Sequence, residues 1–102
     1  MHFVYILRCA DGSYYTGMTA NLTLRVAQHQ DGTFGGYTSS RQPIELVWSQ
    51  EIDTEHQAFE LERKLKGWSR AKKEALIAGD FDALHNVVKQ ERRRREHDKR
   101  GG

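Results

Sequence analysis

Cysteine is nearly absent from this chain. Cys9 is the only one in 102 residues, which excludes an internal disulfide framework and fits a reducing compartment. Apolar runs are short as well. None approaches the length of a membrane span, and the N-terminus lacks the charged-then-apolar order of a signal peptide, so a cytoplasmic location without a membrane partner is expected. His2, His29, His56, His85 and His97 show no ligand spacing with one another or with Cys9, which argues against a transition-metal enzyme. Covalent-nucleophile motifs and phosphate-cradling glycine loops are missing too. Gly35-Gly36 reads as a flexible loop and nothing more. The chain is short enough for one domain with a core of modest depth, so any active site must lie on an open face or in a shallow cleft.

A broadly basic surface is a further absence. Residues 1–88 hold nine Lys/Arg against eleven acidic residues, whereas residues 89–102 hold seven against three. The body is therefore unlike a strong non-specific binder of nucleic acid. It does carry one concentrated basic stretch, Arg63, Lys64, Lys66, Arg70, Lys72 and Lys73. Charge alone leaves the partner undecided.

What is present is a succession of short elements. Phe3 to Cys9 is rich in β-branched and aromatic residues, and Tyr14 to Met18 forms a second strand; Ala10-Asp11-Gly12 between them is a hairpin signal. Cys9 lies in the first strand and reads as core filling. Thr19 and Asn21 offer caps for a helix to about Gln30, closed by Asp31-Gly32. Thr33 to Pro43 is a loop. Ile44, Leu46 and Trp48 alternate along a third strand, Ile44 to Glu51. Thr54 opens a capping box with Gln57 for a helix to Lys66, and Ser69 caps another from Arg70 to Ala78. Asp80 caps a last helix in which Phe81, Leu84 and Val88 share a face, before a polar tail around Arg92-Arg93-Arg94-Arg95 that is expected to be disordered. The order predicts an α+β domain over residues 1–79, a three-stranded antiparallel sheet flanked by helices (ββαβαα). Residues 80–102 form a C-terminal helix and basic tail, a candidate nucleic-acid arm or protein contact.

Function is written where polar residues interrupt buried patterns. Leu22, Arg25, Val26 and His29 fall on one helical stripe, so Arg25 and His29 border the core. Ala58, Leu61, Glu62 and Leu65 form another, and Glu62 interrupts it. A carboxylate beside a core needs a partner. An internal pair with Arg25, or an i,i+4 pair with Lys66, would satisfy it without any chemistry. The hairpin holds a second oddity. A three-residue Ala-Asp-Gly turn places Tyr5 opposite Gly17 and diagonal to Tyr15 on one face. A two-residue Asp-Gly turn places the tyrosines on opposite faces, and the sequence is compatible with both.

Phe3-Val4-Tyr5, ten residues before Tyr15-Thr16-Gly17, resembles the paired motif that names the GIY-YIG nuclease superfamily. Arg25 and His29 on the next helix, and Glu62 on the later one, fall where that family carries its helical arginine, a frequent histidine and its metal-binding glutamate. The resemblance covers roughly residues 2–78 and is nearest to short, stand-alone bacterial members. Tyr37 to Trp48, with Arg41-Gln42-Pro43, also resembles structure-specific nuclease subunits of the superfamily. Phe-Val stands in place of Gly-Ile before Tyr5, and Thr16 in place of the central isoleucine.

The resemblance implies hydrolysis of nucleic-acid phosphodiesters, DNA before RNA, with one divalent cation, Mg²⁺ or Mn²⁺, held by Glu62. It makes Tyr5 the general base and Tyr15 its neighbour. Arg25 would contact the phosphoryl oxygens, and His29 would either orient Tyr5 or compete with it as base. Gly17, Lys66 and Arg41 are the substrate-binding candidates. These residue types suit the chemistry. A hard cation is often held by one or two carboxylates plus substrate phosphate, and a planar, permanently charged guanidinium matches developing phosphoryl charge. A phenol titrates near pH 10, so a nearby cation is needed to favour its ionised form. Two rival readings keep the fold without the cutting: a non-catalytic nucleic-acid-binding module, or a protein-interaction domain using Trp68, Phe81 and the basic helices.

Overall fold

The computed structural model describes residues 1–80 and residue 82. Strands β1 (His2–Arg8) and β2 (Tyr14–Thr19) lead into helix α1 (Leu22–Asp31); strand β3 (Glu45–Ile52) and helices α2 (Glu55–Lys66) and α3 (Arg70–Ala78) follow. This is the expected α+β order. The strands form one antiparallel sheet in the order β2-β1-β3. The last helix expected over Phe81, Leu84 and Val88, and the basic tail, lie outside the described residues. The chain groups into two compact units: Met1–Gly67, with the sheet, α1 and α2, and a unit beginning at Trp68, with α3. In the latter, Ser69 caps α3 by accepting from the Lys72 N–H, and the Lys72 ammonium lies 4.4 Å from the ring centre of a half-buried Trp68.

The caps follow from local chemistry. Asn21, not Thr19, caps α1, its side-chain oxygen accepting from the Leu24 N–H at 3.1 Å. Thr19 instead accepts from the Asn21 N–H at 3.1 Å and so sets the cap residue. Thr54 accepts from the Gln57 N–H at 3.2 Å to open α2.

Of the two hairpin turns open to the sequence, the three-residue one forms. The Cys9 N–H donates to the Ser13 carbonyl and the Gly12 N–H to the Cys9 carbonyl, each at 2.9 Å. Gly12 takes φ +83°, the left-handed position that this turn requires. The register that results sets Tyr5 opposite Gly17 and Leu7 opposite Tyr15.

The third strand departs from expectation. Leu7 faces Leu46, yet the adjacent Ile6 faces Trp48. An extra residue, Val47, is accommodated as a bulge. Because Ile6 and Leu7 point to opposite faces of the sheet, Leu46 and Trp48 do as well. Their two-residue spacing suggests a shared face, but an inserted residue reverses the alternation.

Val4, Tyr5, Ile6 and Leu7 are all fully buried, so the central strand is covered on both faces. On one face Tyr5, Leu7 and Cys9 cluster with Ile44, and Tyr15 with Leu22 and Val26 of α1 pack against them. Burying each aliphatic side chain of this kind stabilises the fold by about 1.5–3 kcal/mol. Helix α2 lies against β1 and β2 and buries Ala58 and Leu65. Among the described residues no helix is long and apolar enough to cross a membrane.

Candidate active site

The site grows out of the sheet face covered by α1. Tyr5 is a core residue with no exposed surface, and its ring occupies the space above Gly17. A methyl group at position 17 would stand 2.5 Å from the Tyr5 Oη and 2.6 Å from its Cζ. Glycine is needed here for room. Gly17→Ala is therefore expected to push the Tyr5 ring off its partners and to destabilise the fold by about 1–3 kcal/mol, the usual cost of overpacking. Thermal melting checks this; an unchanged melting temperature would show that the ring does not need that space. The ring of Tyr15 lies 6.4 Å from that of Tyr5, centre to centre. Val4 and Thr16, which depart from the expected motif, face the other side of the sheet. Their identity is thus free of the site's demands.

Helix α1 carries His29 to the Tyr5 hydroxyl. Tyr5 Oη and His29 Nε2 are 3.0 Å apart, and His29 Nδ1 is 2.6 Å from Thr38 Oγ1. His29 and Thr38 are both buried. A hydroxyl both donates and accepts, so this chain is satisfied with the imidazole proton on either nitrogen. With the phenol protonated, Tyr5 donates to Nε2 and Nδ1–H donates to Thr38. The loop after α1 is built to hold Thr38 in place. Gly35 and Gly36, at φ +74° and +72°, bend it, the Arg41 N–H donates to the Thr38 carbonyl at 3.1 Å, and the Gln42 amide donates to the carbonyls of His29 and Thr38. What the sequence presents as a plain flexible loop is the backing of the histidine.

Electrostatics set the protonation states. The Tyr5 phenol is pushed up to about 12, by burial first and then by the neighbouring Tyr15 and Glu62, while the charge of Arg25 acts the other way. Arg25 is a cation close enough to favour the ionised phenol, but desolvation of the buried ring outweighs this one guanidinium. His29 is held below its usual 6.5 by burial first and Arg25 second. Neutral imidazole beside neutral phenol is the resting state at pH 7.

The other sequence-predicted residues are placed as follows. Arg25 lies with its guanidinium carbon 4.6 Å from the Phe34 ring centre. Glu62 keeps 15% of its side chain exposed and pairs with Lys66, so the i,i+4 alternative forms rather than a pair with Arg25. Arg41 ties the loop to the hairpin: it pairs with Asp11 at 3.1 Å, donates to the Tyr37 carbonyl at 2.8 Å, and covers the Tyr37 ring at 3.8 Å. Tyr5, Tyr15 and His29 are thus in direct contact, with the charges of Arg25 and Glu62 acting on the Tyr5 phenol. Thr38, Gln42 and Phe34 escape sequence reasoning. Their only signal is a run of hydroxyl and aromatic residues in a loop.

The chain is similar to known proteins along most of its length. Residues 1–75 match the family described as the GIY-YIG catalytic domain. A UPF0213 protein of Natronomonas pharaonis is 46% identical over 79 residues, which span 78% of this chain and 93% of that one. Another, from Halobacterium salinarum, is 43% identical over 77 residues, 76% of this chain and all of the relative. The solution NMR structure of a UPF0213 protein from Bacillus halodurans shares the fold, with a TM-score of 0.52 at 39% identity over 78% of this chain and 84% of that one.

Proposed function

The chain belongs to the GIY-YIG catalytic domain family, a family of endonucleases that generally use a divalent metal, and from that premise we propose that it hydrolyses phosphodiester bonds in nucleic acid, DNA before RNA, with Mg²⁺ or Mn²⁺ at Glu62. The observation that carries the reading is the buried Tyr5–His29–Thr38 hydrogen-bond chain, with Tyr15 packed against it.

The donor chemistry fits the metal. Among the described residues no three His, Cys, Asp or Glu side chains converge, and this reading gives the cation Glu62 as its protein anchor. One carboxylate suits a hard cation that leaves its remaining positions to water and phosphate. When bound, the cation supplies positive charge to the phosphoryl and departing oxygens. Lys66, released from Glu62, becomes a phosphate contact.

The residues themselves handle the proton. Once bound substrate and a water open the closed core to the phenol, the Tyr5 oxygen takes a proton from that attacking water while its own proton passes to Nε2 of neutral His29. The imidazolium that forms keeps Nδ1–H donated to Thr38. This relay lets a phenol raised to about 12 act as base near neutrality without being ionised beforehand. Arg25 meets the charge that builds on the phosphoryl oxygens. Tyr15 packs beside the Tyr5 and His29 rings and keeps them in register.

The test is incubation of the purified chain with labelled single-stranded, duplex, flap and branched DNA and RNA, in magnesium, manganese or chelator. Cutting of at least one substrate in metal and none in chelator is expected. If every substrate stays intact in both metals, the nuclease reading is overturned and the choice passes to the two non-catalytic readings of the fold.

A further inference from the structure

Two aromatic rings beside the site take no part in the relay. Phe34 and Tyr37 are 39% and 40% exposed. Each touches a site residue. The Phe34 ring centre is 4.2 Å from that of His29, and the Tyr37 ring stacks on Tyr15 at 6.2 Å with 28° between planes. Each is also held by a guanidinium, Phe34 by Arg25 and Tyr37 by Arg41. Arg41 is itself anchored to Asp11 and to the Tyr37 carbonyl. Loop rings fixed this firmly, yet left open to water, form a prepared surface.

We propose that Phe34 and Tyr37 are stacking platforms for unpaired nucleobases flanking the scissile phosphate, so that the substrate is single-stranded or locally unpaired nucleic acid. This deepens the nuclease reading and rests on it for the position of the phosphate. Three arguments support it. Aromatic faces beside a backbone site are the recognised means of holding single strands, because every base has a π-face. In a duplex those faces are already stacked on neighbouring bases, so the platforms reward only bases that are free. Finally, residues 1–88 carry more acidic than basic residues, so phosphate neutralisation by this body contributes less than on a broadly basic surface and contacts to bases add to the grip. Arg41 then acts as a positioning residue that sets the Tyr37 ring.

The test measures binding apart from cutting. In chelator, the full chain is titrated against a short fluorescent oligothymidylate, a blunt duplex of equal length, and an oligonucleotide of the same backbone whose central bases have been removed. The single strand is expected to bind best, with loss of the central bases weakening it roughly 5- to 100-fold. Tyr37→Leu and Phe34→Leu are expected to cause losses of the same order, while Tyr37→Phe and Phe34→Tyr restore binding, with melting curves reporting that each variant is folded. Equal binding of single strand and duplex, or indifference to missing bases, overturns the proposal. So does unaltered binding by the folded leucine variants. Base-dependent binding without cleavage in metal leaves this inference standing and removes the nuclease reading. Cleavage of duplex and single strand alike, insensitive to both rings, does the reverse.

Discussion

Replacing Glu62 with glutamine is expected to abolish metal-dependent cutting while leaving the melting temperature almost unchanged. Among the described residues the carboxylate pairs only with Lys66, one turn away, and the lysine end of that pair is more than half exposed. Ion pairs of this kind contribute about 0–1 kcal/mol. With Glu62 as the proposed anchor of the cation, its loss is expected to remove several kcal/mol of transition-state stabilisation, on the order of 10³ or more in rate. The electrostatics make the test two-sided. Glu62 also raises the Tyr5 pKa, so a carboxylate that acted only through its field would leave the glutamine variant equally active or faster. Single-turnover assays across a manganese titration separate the cases. A variant that cuts at the wild-type rate removes the metal from Glu62, and a large fall in melting temperature would show that the Lys66 pair is structural.

The sequence makes legible those features of the site that depend on periodicity and turn chemistry. Gly12 can adopt a left-handed turn position, and Tyr5, Gly17 and Tyr15 follow from it once the register is fixed. Arg25 and His29 follow from a 3.6-residue period, as does Glu62. The sequence could not choose between the two hairpin turns, because both leave plausible strands; the hydrogen bonds of Cys9, Gly12 and Ser13 decide it. The bulge at Val47 is invisible for a related reason, since Leu46 and Trp48 keep a spacing of two whether or not a residue is inserted between their partners. Thr38 is the most instructive omission. Its carbonyl is held by Gln42 and Arg41 reaching back from beyond it, and such contacts leave no local period to read. The sign of the Tyr5 shift is hidden likewise. Sequence reveals the arginine that lowers it, but only the closed core reveals the desolvation that raises it further.

Tyr5→Phe is expected to lower turnover on the order of 10²–10⁴, the usual size of a general-base contribution. The phenylalanine ring still fills the space over Gly17, so the core survives. The fold does lose one buried hydrogen bond, and His29 Nε2 is left without its phenol partner at a cost of about 1–3 kcal/mol. A modest drop in melting temperature should therefore accompany the loss of activity, and the two can be separated by assaying well below the melting transition. The pH–rate profile then distinguishes how the phenol works. A phenol that must ionise first, at about 12, gives a rate that climbs through the whole alkaline range. In the relay, His29 must instead be neutral to receive the Tyr5 proton. Its pKa is depressed below 6.5, so activity falls only as pH drops through that depressed value and is level above 6.5. His29→Gln keeps an amide near Tyr5 and Thr38 but cannot take up a proton. It is expected to lower the plateau and to replace it with the climbing profile of an unassisted phenol. A wild-type rate that climbs through the alkaline range, unchanged in shape by His29→Gln, would make Tyr5 a lone base and His29 its support. Near wild-type turnover by Tyr5→Phe would remove the tyrosine from the proton's path, with Glu62 and its cation unaffected.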